Sequence, residues 1–213
     1  MSAKRRLPPG GEDAVRQSKR PILLQTASNL FGRHGFRAIS IGDIVQESQV
    51  ASMTLYNNFK SKDELMVAVL ENRHATVMET LQKRLAPCEG VEAKLKALFD
   101  WHAEWFRGDD FSGCLFEKAL AEFSQDDNPV RQVAVRHKTA LTHLIRDVLA
   151  ERYSKATASE LARTILILLD GATASAWALQ QMDAAARIWN ATQVLLRDAA
   201  VTDKPSRRSS RPK

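Results

Sequence analysis

Apolar residues recur along this chain at intervals of three and four rather than in alternation, which predicts an all-α fold. Leu23, Ala27, Leu30, Phe31 and His34 share one face of a helix starting near Arg20, and Gly35 is placed to end it. Ser40, followed three residues later by Asp43, predicts a capped start for a short helix carrying Ile41, Ile44 and Val45, which has to stop near Ser48. Ser61 and Glu64 repeat that chemistry and open a longer helix through Leu65, Val69 and Val77 that ends before Pro87. Five further helices follow. The first, near 90–107, carries a stripe of Val91, Leu95, Leu98, Phe99, His102 and Phe106, and a shorter one crosses Cys114 to Phe123. Asn128 and Pro129 then supply an N-cap and first-turn pair for a helix bearing Val133, His137, Leu141, Leu144 and Val148. The last two helices, about 159–182 and 184–200, include the small residues Gly171, Ala172, Ala174, Ser175 and Ala176, which permit close approach of another helix.

Between Ser40 and Phe59 a short amphipathic helix, a turn and a second short helix follow one another, which is the arrangement of a helix-turn-helix. Ile44, Val45, Val50 and Leu55 can pin the two helices together, leaving Ser52, Met53, Thr54, Asn57 and Asn58 to point outward, where hydrogen-bonding groups can face the DNA major groove.

These residues resemble the tetracycline-repressor (TetR) family. The resemblance rests on Gly35-Phe36, Ser40-Ile41, Asp43-Ile44 and the run Thr54-Leu55-Tyr56 through Phe59, Lys62 and Leu65. It implies phosphate contacts from Ser40, Thr54, Tyr56 and Lys62, and base reading by Ala51, Ser52, Met53, Thr54 and Asn57; Lys60 is grouped with them as a DNA contact. Two positions depart from the family pattern: Gln49 stands where Gly is usual in the turn, and Ala51 where Ser or Thr is usual. Each departure is expected to cost about 1 kcal/mol and to leave the motif slightly less rigid.

The net charge of +6 suggests nucleic acid, but its placement changes the picture. Residues 1–20 carry six basic side chains against two acidic ones, and residues 204–213 carry five against none. The body between them therefore holds twenty basic and twenty-three acidic residues. Bulk basicity belongs to two tails, 1–18 and 201–213, whose composition predicts disorder, with either phosphate contacts or solubility as their role. The domains expected between them are 19–65 for DNA binding and 66–200 for effector binding and dimerisation. Pro8, Pro9, Gly10 and Gly11 occupy the place of a secretory signal's hydrophobic segment, which points to the cytoplasm, and no membrane contact is expected. Cys88 and Cys114 fit neither a zinc cluster nor a disulfide framework.

The larger domain carries a further, partial resemblance in Gly113-Cys114-Leu115-Phe116 followed by Glu122, matching one subgroup of TetR ligand domains. The family implies a pocket between middle helices, for which Trp101, His102, Trp105, Phe106, Cys114, Phe116, His137 and Trp177 suit a small apolar or aromatic effector. The same aromatics at helical spacing also read as plain core, and Leu115 and Phe116 favour an inert buried thiol at Cys114 over a redox sensor. The family also implies a homodimer through the last two helices, here through Leu161, Ile165, Leu168, Ala172, Ala176, Ile188, Trp189, Leu195 and Leu196. Two-fold symmetry would then set the recognition helices roughly 34–36 Å apart on a palindromic operator in double-stranded DNA. Repression is the family default, and no cofactor or metal is implied. Two other classes compete: a helical adaptor that binds protein only, and a helical enzyme. The sequence carries no zinc-protease, nucleophile-elbow, P-loop or dinucleotide motif for the latter.

Overall fold

The computed structural model describes the backbone of residues 11–203 and side chains from residue 19 onward; the segments 1–10 and 204–213, within the expected tails, lie outside the described residues. Among the described residues the chain forms nine helices and no strand: α1 (Gly11–His34), α2 (Ile41–Ser48), α3 (Ser52–Asn58), α4 (Lys62–Leu85), α5 (Gly90–Phe106), α6 (Leu115–Glu122), α7 (Pro129–Leu149), α8 (Lys155–Leu179) and α9 (Ala184–Thr202). Helix α1 begins well before Arg20, so residues 11–18 are helical rather than disordered. Between Gly11 and Pro21 the segment holds no other helix breaker, and residue types such as Ala14, Arg16 and Gln17 propagate a helix well. Pro21 lies inside α1 and removes one backbone donor without ending it. At α7 the local chemistry is as the sequence implies: the Asn128 Oδ1 accepts from the backbone N–H groups of Val130 (2.9 Å) and Arg131 (3.2 Å).

Two compact units result. Among the described residues, one comprises those through Thr76 together with Cys114–His137, the other Val77–Gly113 together with those from Lys138 on. The expected boundary at 65/66 therefore falls inside α4, and α6, expected in the effector domain, packs with α1 in the first unit. The core of that unit joins Leu23, Phe31, Phe36, Ile44, Leu55, Phe59 and Leu65 to Leu115, Phe116, Ala119, Val130 and Val133. Phe31 and Phe36 stack at 4.9 Å between ring centres across the turn at Gly35, whose φ of +85° glycine adopts without strain.

In the second unit, Leu81, Leu95, Leu98 and Phe99 pack with Ile145, Leu149, Leu161, Ile165, Trp189 and Leu196. Asp203 ties the end of α9 to the start of α8, accepting from the Ser154 N–H (2.6 Å) and the Thr157 hydroxyl (2.8 Å). The expected dimer face needs correction here. Leu161, Ile165, Ala172, Ala176, Trp189 and Leu196 are buried within the chain's own cores, and Leu168, Ile188 and Leu195 are half-buried. The exposed apolar positions are others, among them Ile167 at 70%, Val194 at 55%, Leu179 and Val201, with Gly171, Ala174 and Ala178 on the outer side of α8. Helix α8 carries two apolar stripes, and periodicity alone does not say which one turns inward. Two stripes also account for α8 being long and apolar enough, by length and composition, to span a bilayer.

Candidate nucleic-acid interface

The first of the two short helices is fixed by a reciprocal cap. The Ser40 Oγ accepts from the Asp43 N–H (3.2 Å), while the Asp43 carboxylate accepts from the Ser40 N–H and the Ser40 hydroxyl, both at 2.7 Å. The hydroxyl bond, then the backbone bond, hold the Asp43 carboxyl below the usual carboxylate range, and the charge of Lys62 acts in the same direction. Gln49 ends α2 in the left-handed region (φ 54°, ψ 25°), Val50 is buried, and Ala51 stands at the cap position of α3 with no side-chain bond to offer. Both departures therefore have the geometry for which a cost is expected. We expect Gln49→Gly to stabilise the protein by roughly 0.5–1 kcal/mol, read as a higher urea midpoint at unchanged slope; a lower midpoint would show that the Gln49 side chain gives more than its backbone strain takes.

Helix α3 sorts its residues cleanly. Leu55 faces the core, while Ala51, Ser52, Met53 (72% exposed), Tyr56 (53%) and Asn57 face outward, Thr54 is half-buried, and beyond the helix Lys60 is exposed and Lys62 half-buried. Asn58, expected outside, is buried: its Nδ2 donates to the Thr54 carbonyl (2.8 Å), and its own carbonyl accepts from the Arg20 guanidinium (3.3 Å), which lies 4.4 Å from the Phe59 ring centre. A short polar side chain one turn beyond Thr54 can bend back onto the helix, and that option is invisible in a hydrophobic pattern. At the head of α4 the Ser61 hydroxyl accepts from the Glu64 N–H (3.1 Å), and the Glu64 carboxylate accepts from the Lys60 N–H (2.7 Å). The Lys62 ammonium donates to the Arg37 carbonyl at 3.5 Å.

Sequence reasoning missed Glu122 as a contact of this region. Its carboxylate accepts from the backbone N–H groups of Phe36 (2.9 Å) and Arg37 (2.7 Å), and the Arg37 guanidinium donates to the Glu122 carbonyl (2.8 Å). A Cβ on Gly35 would lie 2.6 Å from the Glu122 Oε1, so any other residue there would be strained by the positive φ and would push the Glu122 carboxylate off the Phe36 N–H.

The residues expected to line a pocket divide between the units. Trp101, His102, Trp105, Phe106 and Trp177 belong to the second, Cys114, Phe116 and His137 to the first. In the second unit Trp101 stacks on Trp105 at 5.6 Å, and Phe106 and Phe111 continue the aromatic cluster. Phe106, Phe111, Trp177 and Met182 border an open cleft of about 380 Å³. His102 is a buried core histidine bonded through Nδ1 to the Leu98 carbonyl (2.8 Å), and burial pushes its pKa down to about 4. In the first unit Phe116 stacks flat on His137 at 3.6 Å, and His137 meets His74, which sequence reasoning passed over, Nδ1 to Nδ1 at 3.0 Å. Cys114 is half-buried at the cap position of α6 rather than fully buried. No group of three or more metal-ligating side chains occurs among the described residues.

Residues 23–69 match the model of the tetR family of bacterial regulatory proteins, and residues 91–188 that of the LmrA/YxaF-like transcriptional regulator C-terminal domain. Among curated proteins, the chain is 30% identical over 95 residues to the HTH-type transcriptional repressor KstR2 of Mycolicibacterium smegmatis, covering 41% of this chain and 46% of that one. It is 26% identical over 139 residues to the HTH-type transcriptional repressor ComR of Escherichia coli, covering 64% and 66%. These matches span from about half to just under two thirds of the relatives' length. Among solved structures, a TetR-family transcriptional regulator from Streptomyces coelicolor superposes with a TM-score of 0.81 at 24% identity, over 86% of this chain and 97% of that one, a likeness of fold. With the helix-turn-helix and the larger helical part each matched in its own right, the chain belongs to the TetR family.

Proposed function

We propose that this protein is a cytoplasmic transcriptional repressor that binds a palindromic operator in double-stranded DNA as a homodimer, responds to a small apolar or aromatic effector, and catalyses no reaction. One observation carries the reading: Ser52, Met53, Tyr56 and Asn57 stand exposed along α3 on a scaffold whose inward residues are fully packed, with Ser40 and Lys62 flanking them. Such a face offers donors and acceptors to base edges at its centre and to phosphates at its margins. The repressor names of the relatives support the sign of regulation. For the dimer, the outer stripe of α8 and α9 around Ile167, Gly171, Val194 and Val201 replaces the set expected from sequence. The aromatic cluster of the second unit suits a flat apolar effector.

The test is an electrophoretic shift of the purified protein on DNA flanking its own gene, and on DNA selected from a random pool, at two salt concentrations. Binding to a defined sequence that weakens steeply with salt, and is lost in a folded Tyr56→Ala variant, is the expected result. Failure to select any sequence would transfer support to a protein-binding adaptor.

A further inference from the structure

Backbone residues 35–40 carry Ser40 and the carbonyl that holds Lys62, two of the phosphate contacts implied at the margins of α3, and this short stretch is tethered at both ends. At its far end Asp43 holds Ser40 through the reciprocal cap. At its near end the tether is Glu122, the last residue of α6. Each carboxylate oxygen takes one of two successive backbone N–H groups, at 2.9 and 2.7 Å, and the Arg37 guanidinium closes the ring by donating to the Glu122 carbonyl at 2.8 Å. That carbonyl is one of the orphan acceptors at a helix end, so the bond costs α6 nothing. Arg37 also lies 5.6 Å from the Phe123 ring centre, and Phe36 meets the same ring edge-on at 5.9 Å. A charged acceptor serving two adjacent N–H groups fixes position and orientation together, which one neutral bond cannot do.

Resting on the operator reading, we propose that Glu122 is a positioning residue for DNA binding: by holding the backbone at Phe36 and Arg37 it sets where the Arg37 carbonyl holds Lys62 and where Ser40 stands against the phosphates. The base-reading residues of α3 are held separately, by Leu55 in the core and by Arg20 on the Asn58 carbonyl. Loss of the Glu122 tether therefore removes phosphate contact and leaves sequence preference intact. A merely structural Glu122 would lower stability and leave the folded protein's DNA binding and its salt dependence unchanged.

The experiment uses full-length protein and DNA selected by the wild type from a random-sequence pool, well below the unfolding temperature, with folding checked by circular dichroism. In Glu122→Gln the amide keeps one acceptor and turns a donor toward the second N–H. Binding is expected to weaken about tenfold, the slope of log affinity against log salt to fall by about one, and the ratio of specific to mismatched DNA to stay at the wild-type value. Combined with Lys62→Ala, it should weaken binding by no more than about twofold beyond Lys62→Ala alone, because the charged contact that Glu122 positions is already gone and only the neutral Ser40 contact is left to lose. Glu122→Asp, which withdraws the carboxylate by one methylene, should lie between wild type and Glu122→Gln and decides the matter where Glu122→Gln does not fold. Wild-type affinity and salt slope in a folded Glu122 variant would overturn the positioning role while leaving the operator reading in place. A wild type that selects no DNA would overturn the operator reading, and the positioning role with it.

Discussion

Phe36→Ala is expected to lower the free energy of unfolding by roughly 3–5 kcal/mol, a large part of what an ordinary domain possesses. The side chain is fully buried, stacked on Phe31 at 4.9 Å and edge-on to Phe123 at 5.9 Å. The cost of a cavity depends on how far its walls can move in, and here the backbone resists collapse from both sides. Gly35 holds a left-handed turn immediately before Phe36, and the Phe36 N–H is bonded to Glu122. The upper half of the range is therefore expected, read as a fall in the urea midpoint at unchanged slope. A loss under about 1 kcal/mol would mean that the site closes over the void, contrary to a rigid corner. Tyr56→Ala is the useful contrast: half its surface is already in solvent, so it should leave stability nearly unchanged while removing DNA binding.

Acidification should weaken the fold through His102, in a window set by its two states. Unfolded, the imidazole takes a proton near pH 6.5; folded, burial above all, helped by the charge of Lys138, holds the value down to about 4. Between those values the unfolded chain binds the extra proton, so the contribution is complete above pH 6.5 and is lost as the pH falls toward 4. The slope approaches 1.4 kcal/mol per pH unit, about 3 kcal/mol across the window. Urea midpoints at pH 7.5, 6 and 5, measured for wild type and His102→Gln, separate this group from the other histidines: the difference between the two proteins should shrink steadily on acidification. Parallel midpoints would show that His102 gains its proton without cost in the folded state. Asp43 and Asp203, with carboxyls held low by hydrogen bonds, act below this window, where ordinary carboxylates begin to take protons.

What could be read in the sequence is what chemistry decides within three or four residues. Ser40 with Asp43, Asn128 ahead of Pro129, and Gln49 forced into a left-handed turn all declare themselves locally, and each has the geometry its neighbours imply. Asn58 defeated the reading because a polar side chain can satisfy itself on its own helix and disappear from the surface. On α8 the two apolar stripes are equivalent until a partner helix chooses between them, and the inward choice fell on Leu161, Ile165 and Ala172 rather than Ile167. Glu122 lies 86 residues from Phe36, and nothing within its own helix says that it will meet two backbone N–H groups there. The expected pocket shares this difficulty: aromatic spacing along α5 foretold a cluster but not that Phe116 and His137 would belong to a different unit.

The first unit is not contiguous in the chain, and this has a consequence for its synthesis. Its core needs Leu115, Phe116, Ala119, Val130 and Val133 in addition to the N-terminal helices, so a nascent chain that has reached Thr76 holds every expected DNA contact on an open, partly apolar surface. Another 61 residues must be added before His137 completes the unit. At typical translation speeds that is roughly 3–12 seconds, longer than small helical domains need to fold once complete. Through that interval the apolar side chains that Leu115, Phe116, Ala119, Val130 and Val133 will cover stay uncovered, and an excised fragment ending near residue 76 would keep them so.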